Sequence, residues 1–135
     1  VCAGTEVFTN TGKIVKIDKN DSLTNQWYCH RIFRPVALNF CAAILRKDLI
    51  ELNGFDERYA NGVERDDVEF LDRIKRKKMK ITFVDDIKVI HQAHPSFQYS
   101  HPNINELRFK NHDLYAKTTA IETIIRANPD KTILE

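Results

Sequence analysis

A mixed α/β sandwich, a mixed sheet with flanking helices, is the fold class that this sequence predicts. Three observations predict it. The chain has 135 residues, 42% hydrophobic and 30% charged, which is one ordinary domain with enough apolar material for a real core. Residues 66–77 are patterned as an amphipathic helix. Three short apolar runs, at residues 39–45, 80–84 and 88–91, have the length of strands. The same composition excludes disorder, collagen and coiled coil.

Each element has its own local reason. Val1-Cys2-Ala3-Gly4 carries no initiator Met and no cap signal, so the chain is expected to begin inside something larger. Residues 6–9 and 13–18 are β-prone runs around Asn10-Thr11-Gly12, the pattern of a hairpin with Gly12 at the left-handed position. Residues 19–25 are polar and predict a loop. Residues 27–35 are aromatic and basic, punctuated by Pro35. The run Asn-Phe-Cys-Ala-Ala-Ile-Leu at 39–45 is too short for a typical helix and suits a buried strand. Residues 48–52 predict one or two helical turns, stopped by Asn53-Gly54.

In residues 66–77, Val68, Leu71 and Ile74 form an apolar stripe with Phe70 beside them. Acids fill the first turn and bases the last, complementing the helix dipole at both ends. Residues 80–84 and 88–91 predict two strands with a bend at Asp85-Asp86. Residues 104–127 predict a long helix with Leu107, Leu114, Ile121, Ile124 and Ile125 inward, ended by Asn128-Pro129.

Charge and cysteine usage narrow the function. Lys and Arg number 21 against 19 Asp and Glu, a net charge of +2, which is not the signature of a nucleic-acid binder. The basic cluster Arg73, Lys75, Arg76, Lys77, Lys78 and Lys80 predicts a solvated helix end, with attraction to an anionic polymer or a membrane surface as its alternative. The three cysteines, Cys2, Cys29 and Cys41, are odd in number and widely spaced. They fit neither a disulfide framework nor a zinc ribbon, and predict reduced thiols in the cytoplasm, with the cytoplasmic face of a membrane as a secondary location. No signal peptide opens the chain, and no apolar run approaches the ~20 residues of a membrane span.

Chemistry concentrates in two places. Glu64, Asp66, Asp67 and Glu69 put four carboxylates into six residues at a loop-to-helix junction. They repel one another unless cationic groups lie nearby, and a helix N-terminus supplies part of that compensation. The plain alternative is that Asp66 caps the helix and the others are solvated. The second place is His91-Gln92-Ala93-His94, two histidines at a strand end that suit a metal or a purely structural role.

The stretch 40–73, FCAAILRKDLIELNGFDERYANGVERDDVEFLDR, resembles the carboxy-terminal half of the catalytic domain in family-two and related inverting glycosyltransferases of the GT-A fold. The matching pieces are Arg46, Gly54-Phe55-Asp56-Glu57, Gly62, Asp66-Asp67 and Arg73. The spelling Asp67-Val68-Glu69-Phe70 is similar to chondroitin-polymerase-like enzymes and the galactosyltransferase carboxy-terminal region. The match runs over roughly residues 36–95.

The resemblance implies a partial GT-A sandwich and an inverting, metal-dependent transfer of a hexose or N-acetylhexosamine from a nucleotide sugar, a UDP-sugar by family, to a glycan acceptor. An inverting transfer needs a carboxylate to take the acceptor hydroxyl proton and a divalent cation for the departing diphosphate. Asp67 corresponds to the acid that serves as base, and Asp66 stands where those enzymes usually carry Glu, so both are catalytic candidates. His91 maps onto the histidine that completes coordination of Mn²⁺ or Mg²⁺, with His94 as substitute. Substrate contacts are expected from Gly62, where the acceptor can approach the backbone, from Glu64 in the acidic cluster, and from Trp27. Trp27 forms an aromatic platform with Tyr28, His30 and Phe33, or packs under the sheet. Arg73 is grouped with these substrate contacts, where it orients the acids or packs its stem. Gly54 turns the backbone, Phe55 is expected in the core, and Asp56-Glu57 sets the next loop.

Neither the Asp-X-Asp signature of a donor-binding half nor a Gly-rich phosphate loop is present. The chain therefore reads as an acceptor side whose donor side is missing, inactive alone, with apolar surface left for that half or for a second copy in a homo-oligomer. Two competing readings are a non-catalytic carbohydrate-binding or assembly module derived from a transferase, and a metal hydrolase using Asp66, Asp67 and His91.

Overall fold

The computed structural model describes residues 1–8, 27–32, 34–38, 41–91, 101–119 and 124–131. The fold is mixed α/β. The chain divides into two compact units, residues 1–44 with 80–95 and residues 45–79 with 96–135.

The first unit is a four-stranded mixed sheet built on β1 (Cys2–Phe8). One side of β1 pairs antiparallel with two short strands, β2 (Trp27–Tyr28) opposite Val7 and Glu6, and β3 (Ala42–Ala43) opposite Ala3 and Cys2. The other side pairs in parallel with β4 (Thr82–His91). Of the apolar run at 39–45, the described residues 41–45 contribute a two-residue strand, and both alanines are exposed rather than buried. The two strands expected at 80–84 and 88–91 are one, because the parallel ladder resumes beyond the expected bend: Gly4 pairs with Val84 and Thr5 with Lys88, leaving Asp85, Asp86 and Ile87 as a bulge. Gly4 permits it, since a Cβ there would lie 2.9 Å from Cys41 Sγ and 3.1 Å from the Ile87 carbonyl oxygen. The bulge turns Asp85 toward Arg31, whose amide donates to Oδ1 at 3.0 Å and whose Nε lies 3.3 Å from Oδ2. Burial lowers the His30 pKa, with Asp85 opposing and Lys88 adding to the shift. Cys2, Cys29 and Cys41 are all free thiols. Ile87, Val89 and Ile90 leave apolar surface exposed along β4.

The second unit is helical. Helix α1 (Arg46–Leu52) ends where Asn53 adopts φ 56° and Gly54 φ 67°. The amides of Asn53 and Gly54 reach back to Ile50 and Leu49 carbonyls, the Schellman arrangement that the Asn-Gly pair predicts. Asn53 also donates to the carbonyls of Ala127 at 2.9 Å and Lys131 at 2.6 Å, and Asn128 returns a bond to the Phe55 carbonyl at 2.7 Å. These bonds clasp residues 127–131 onto the end of α1. Asp56 caps a 3₁₀ turn (Glu57–Asn61), accepting from the Arg58 amide at 3.0 Å. Burial pushes the Asp56 carboxyl up, but its bonds from Arg58 outweigh this and hold it below the usual range.

Helix α2 (Asp66–Arg76) buries Glu69, Phe70, Leu71, Arg73 and Ile74, while Val68 is only half-buried. Its end is another Schellman motif with Lys78 at φ 56° and the Met79 amide bonded to the Ile74 carbonyl. Phe55 is 45% exposed, not core, and stacks on Phe70 at 4.4 Å. Helix α3 (Ile104–Thr119) stops short of residue 127. Its buried residues are Asn111 and Thr118; Leu107 and Leu114 are half-buried, and Ile125 beyond it is exposed. Among the described residues no helix is long and apolar enough to cross a membrane.

Candidate functional site

The acidic cluster sits where the loop 62–65 enters α2. Asp66 does not cap the helix; Arg65 occupies that position with φ 74° and makes no side-chain cap bond, and Asp66 is exposed. Glu64 before it has φ 68°. Two consecutive non-glycine residues in the left-handed region cost about 1–2 kcal/mol each, so tertiary contacts must hold them.

Those contacts come from one face of α3. Asn111, 1% exposed, donates from Nδ2 to the carbonyls of Tyr59 at 3.1 Å and Glu64 at 2.8 Å. Arg108 Nε donates to Glu64 Oε1 at 2.8 Å, and His112 Nε2 lies 3.3 Å from Glu64 Oε2. Arg65 lies over the Tyr115 ring at 5.3 Å, and with the His112 Nε2 proton directed at Glu64 its Nη2 reaches His112 Nδ1 at 3.4 Å. Gly62 is pressed against Asn111, whose Oδ1 would be 2.1 Å from a Cβ at that position. The space in front of Gly62, where the acceptor was expected, is therefore filled by a side chain.

Asp67 is half-buried, and its Oδ1 accepts from the Val68 amide at 2.7 Å. Burial raises its pKa, and the Asp66 charge adds to the rise while the Val68 bond opposes it. A carboxyl raised in this way keeps affinity for a proton, which is the property of a general base.

Arg73 has no exposed surface. Its Nε and Nη2 bond the two oxygens of Glu69 at 2.7 and 2.9 Å, and Nη1 donates to the Leu52 carbonyl at 2.7 Å. Of the acids it was expected to orient, the one it holds is Glu69; it leaves the basic cluster to join the core, and with no exposed surface it is not placed for the substrate contact expected of it. Trp27 lies in β2 opposite Val7, and the ring of its neighbour Tyr28 carries the Arg34 guanidinium at 3.6 Å. His91 is the last residue of β4, opposite Phe8. It belongs to the first unit and Asp67 to the second. The hairpin expected around Asn10-Thr11-Gly12, Phe33, His94 and Ile121 lie outside the described residues.

Among the described residues no three His, Cys, Asp or Glu side chains converge as a metal site. An open depression of about 490 Å³ is lined by Asp72, Lys75, Arg76, Tyr115 and Thr119. There Tyr115 Oη donates to Asp72 Oδ2 at 2.6 Å, and this bond pushes the phenol up to about 12.

The residues that sequence reading misses are Arg108, Asn111, His112 and Tyr115. Their spacing of three, one and three residues was visible as a single helical face, but an inward search for apolar residues passes over a polar stripe. Comparison with protein-family models, with curated proteins and with solved structures gave no match.

Proposed function

We propose that this chain is the acceptor side of an inverting glycosyltransferase of the GT-A type, acting on a nucleotide sugar, a UDP-sugar by family, and a glycan acceptor. The observation that supports the reading is Asp67: a half-buried carboxylate of raised pKa at the mouth of α2, inside the Gly54-Phe55-Asp56-Glu57 to Asp66-Asp67 motif order. In this role Asp67 accepts the proton of the acceptor hydroxyl as that oxygen bonds the anomeric carbon. The bond from that carbon to the diphosphate breaks on the opposite face, and the nucleoside diphosphate leaves with the electron pair.

A rigid α2 serves this chemistry by fixing the carboxylate, and the Arg73–Glu69 pair bonded to the end of α1 supplies rigidity. On this reading His91 is the residue of this chain that would help to hold a divalent cation, Mn²⁺ or Mg²⁺, and the chemistry such an ion would supply is neutralisation of the leaving diphosphate. The donor-binding half holds the donor, so the 135 residues alone are expected to transfer no sugar.

The test is Asp67→Asn in the chain joined to its donor-binding half. Transfer is expected to fall about 10²–10⁴-fold, the usual contribution of a general base, with donor binding nearly intact. Unchanged transfer would refute the reading. Equal loss of transfer and donor binding would instead assign Asp67 to folding.

A further inference from the structure

Glu64 lies in the acidic cluster, yet both of its carboxylate oxygens are turned to α3. Oε1 takes the Arg108 Nε bond at 2.8 Å, Oε2 faces His112 at 3.3 Å, and the backbone carbonyl takes Asn111 Nδ2 at 2.8 Å. Arg65, next in the chain, is engaged by His112 Nδ1 at 3.4 Å and by the face of Tyr115. All four partners lie on α3 at positions 108, 111, 112 and 115, the spacing that makes one helical face. The two residues they grip are the two consecutive left-handed ones, and Asp66 and Asp67 follow immediately.

Asn111 anchors the grip. It is buried, its Oδ1 is the one buried side-chain polar atom without a hydrogen-bond partner among the described residues, and it abuts Gly62. A loop in an intrinsically unfavourable backbone conformation persists only where its surroundings over-determine it, and here α3 does so from four side chains. Releasing the grip lets Glu64 and Arg65 relax toward ordinary φ values, which swings the chain entering α2 and carries the Asp67 carboxylate with it.

We infer that Glu64 and Arg65 are positioning residues for Asp67: the polar face of α3 holds them in the left-handed region, and they set the direction in which the first turn of α2 presents its carboxylate. The inference rests on the reading of Asp67 as the base. It gives Glu64 a different job from substrate binding, one in which its carboxylate pairs with Arg108 on α3.

The test has two arms. In the chain by itself, Glu64→Ala is expected to speed amide hydrogen exchange at Asp67 and Val68 roughly tenfold relative to Leu71 and Ile74, as local opening of the first turn. Glu64→Gln, whose amide oxygen still accepts from Arg108, is expected to restore most of the protection. A uniform rise along all of α2, or no rise, would overturn the inference. In the chain joined to its donor-binding half, Glu64→Ala is expected to lower kcat about 100-fold, the scale set by an ångström of misplacement. The donor KM stays near its original value and Glu64→Gln stays close to the parent. Dead Asp67→Asn beside fully active Glu64→Ala would overturn this inference and leave the transferase reading standing. Fully active Asp67→Asn would sink the transferase reading, and the exchange arm, which needs no activity, would still decide whether α3 holds the turn.

Discussion

Arg73→Met removes the guanidinium at the centre of the second unit. Arg73 is 0% exposed and Glu69 4% exposed, and the pair is bidentate at 2.7 and 2.9 Å with a third bond at 2.7 Å to the Leu52 carbonyl. Methionine fills much of the volume but leaves the buried Glu69 carboxylate without a donor, while the Leu52 carbonyl keeps its bond from the Ala127 amide at 3.1 Å. Breaking one side of a buried ion pair costs about 3–5 kcal/mol, a large share of the 5–15 kcal/mol that holds a typical domain together.

The assay is urea denaturation of the chain followed by circular dichroism. At a slope of about 2 kcal/mol per molar, a loss of 4 kcal/mol lowers the midpoint by about 2 M. The double variant Glu69→Leu with Arg73→Met removes both charges, and is expected to recover most of the loss, because an apolar replacement of a whole buried pair is near neutral. What remains is the loss of one of the two bonds to the Leu52 carbonyl, which keeps that from the Ala127 amide, about 0.5–1.5 kcal/mol. A midpoint shift of less than about 0.3 M for Arg73→Met, or a double variant no better than the single, would refute the claim that this pair ties α2 to the end of α1.

Gly62→Ala places a methyl group 2.1 Å from Asn111 Oδ1, so Asn111 must shift off the Tyr59 and Glu64 carbonyls. A loss of about 1–3 kcal/mol by denaturation is expected, and a neutral outcome would show that Asn111 moves without cost. Asp56 and Asp67 predict opposite pH dependences. The Asp56 pKa is lowered, so its stabilisation is present above the ordinary carboxyl value of about 3.9 and disappears as pH falls through the folded value. Asp56→Asn removes that acid step. The Asp67 pKa is raised, so its cost is absent below the ordinary value and grows as pH rises through the folded one. Asp67→Asn is thus expected to be more stable than the parent at neutral pH and to match it in acid. Melting curves across this range check both signs.

How much was legible follows from the range of each cause. The stop of α1 at Asn53-Gly54, the extent of α2 with acids first and bases last, and the turn set by Asp56 were readable because each depends on neighbours within four residues. The candidate base was readable as one of two adjacent acids, and its half-buried state was not. Ala42-Ala43 looked like the middle of a buried strand, but apolar composition says nothing about whether a sheet face is covered. The bend at Asp85-Asp86 became a bulge because the parallel register with β1 continues past it, and register belongs to the pair of strands.

The sequence by itself determined the α/β class, the helix that carries Asp66 and Asp67, and the turn residues that begin and end the short elements, since backbone preference and side-chain periodicity act locally. Only the tertiary structure decided that Arg73 is core, that Glu64 and Arg65 take left-handed backbone, and that α3 turns a polar face inward. Each of these rests on hydrogen bonds between segments 21 to 48 residues apart. A buried polar group is stable only beside its partner, and no local pattern reveals which distant residue that partner is.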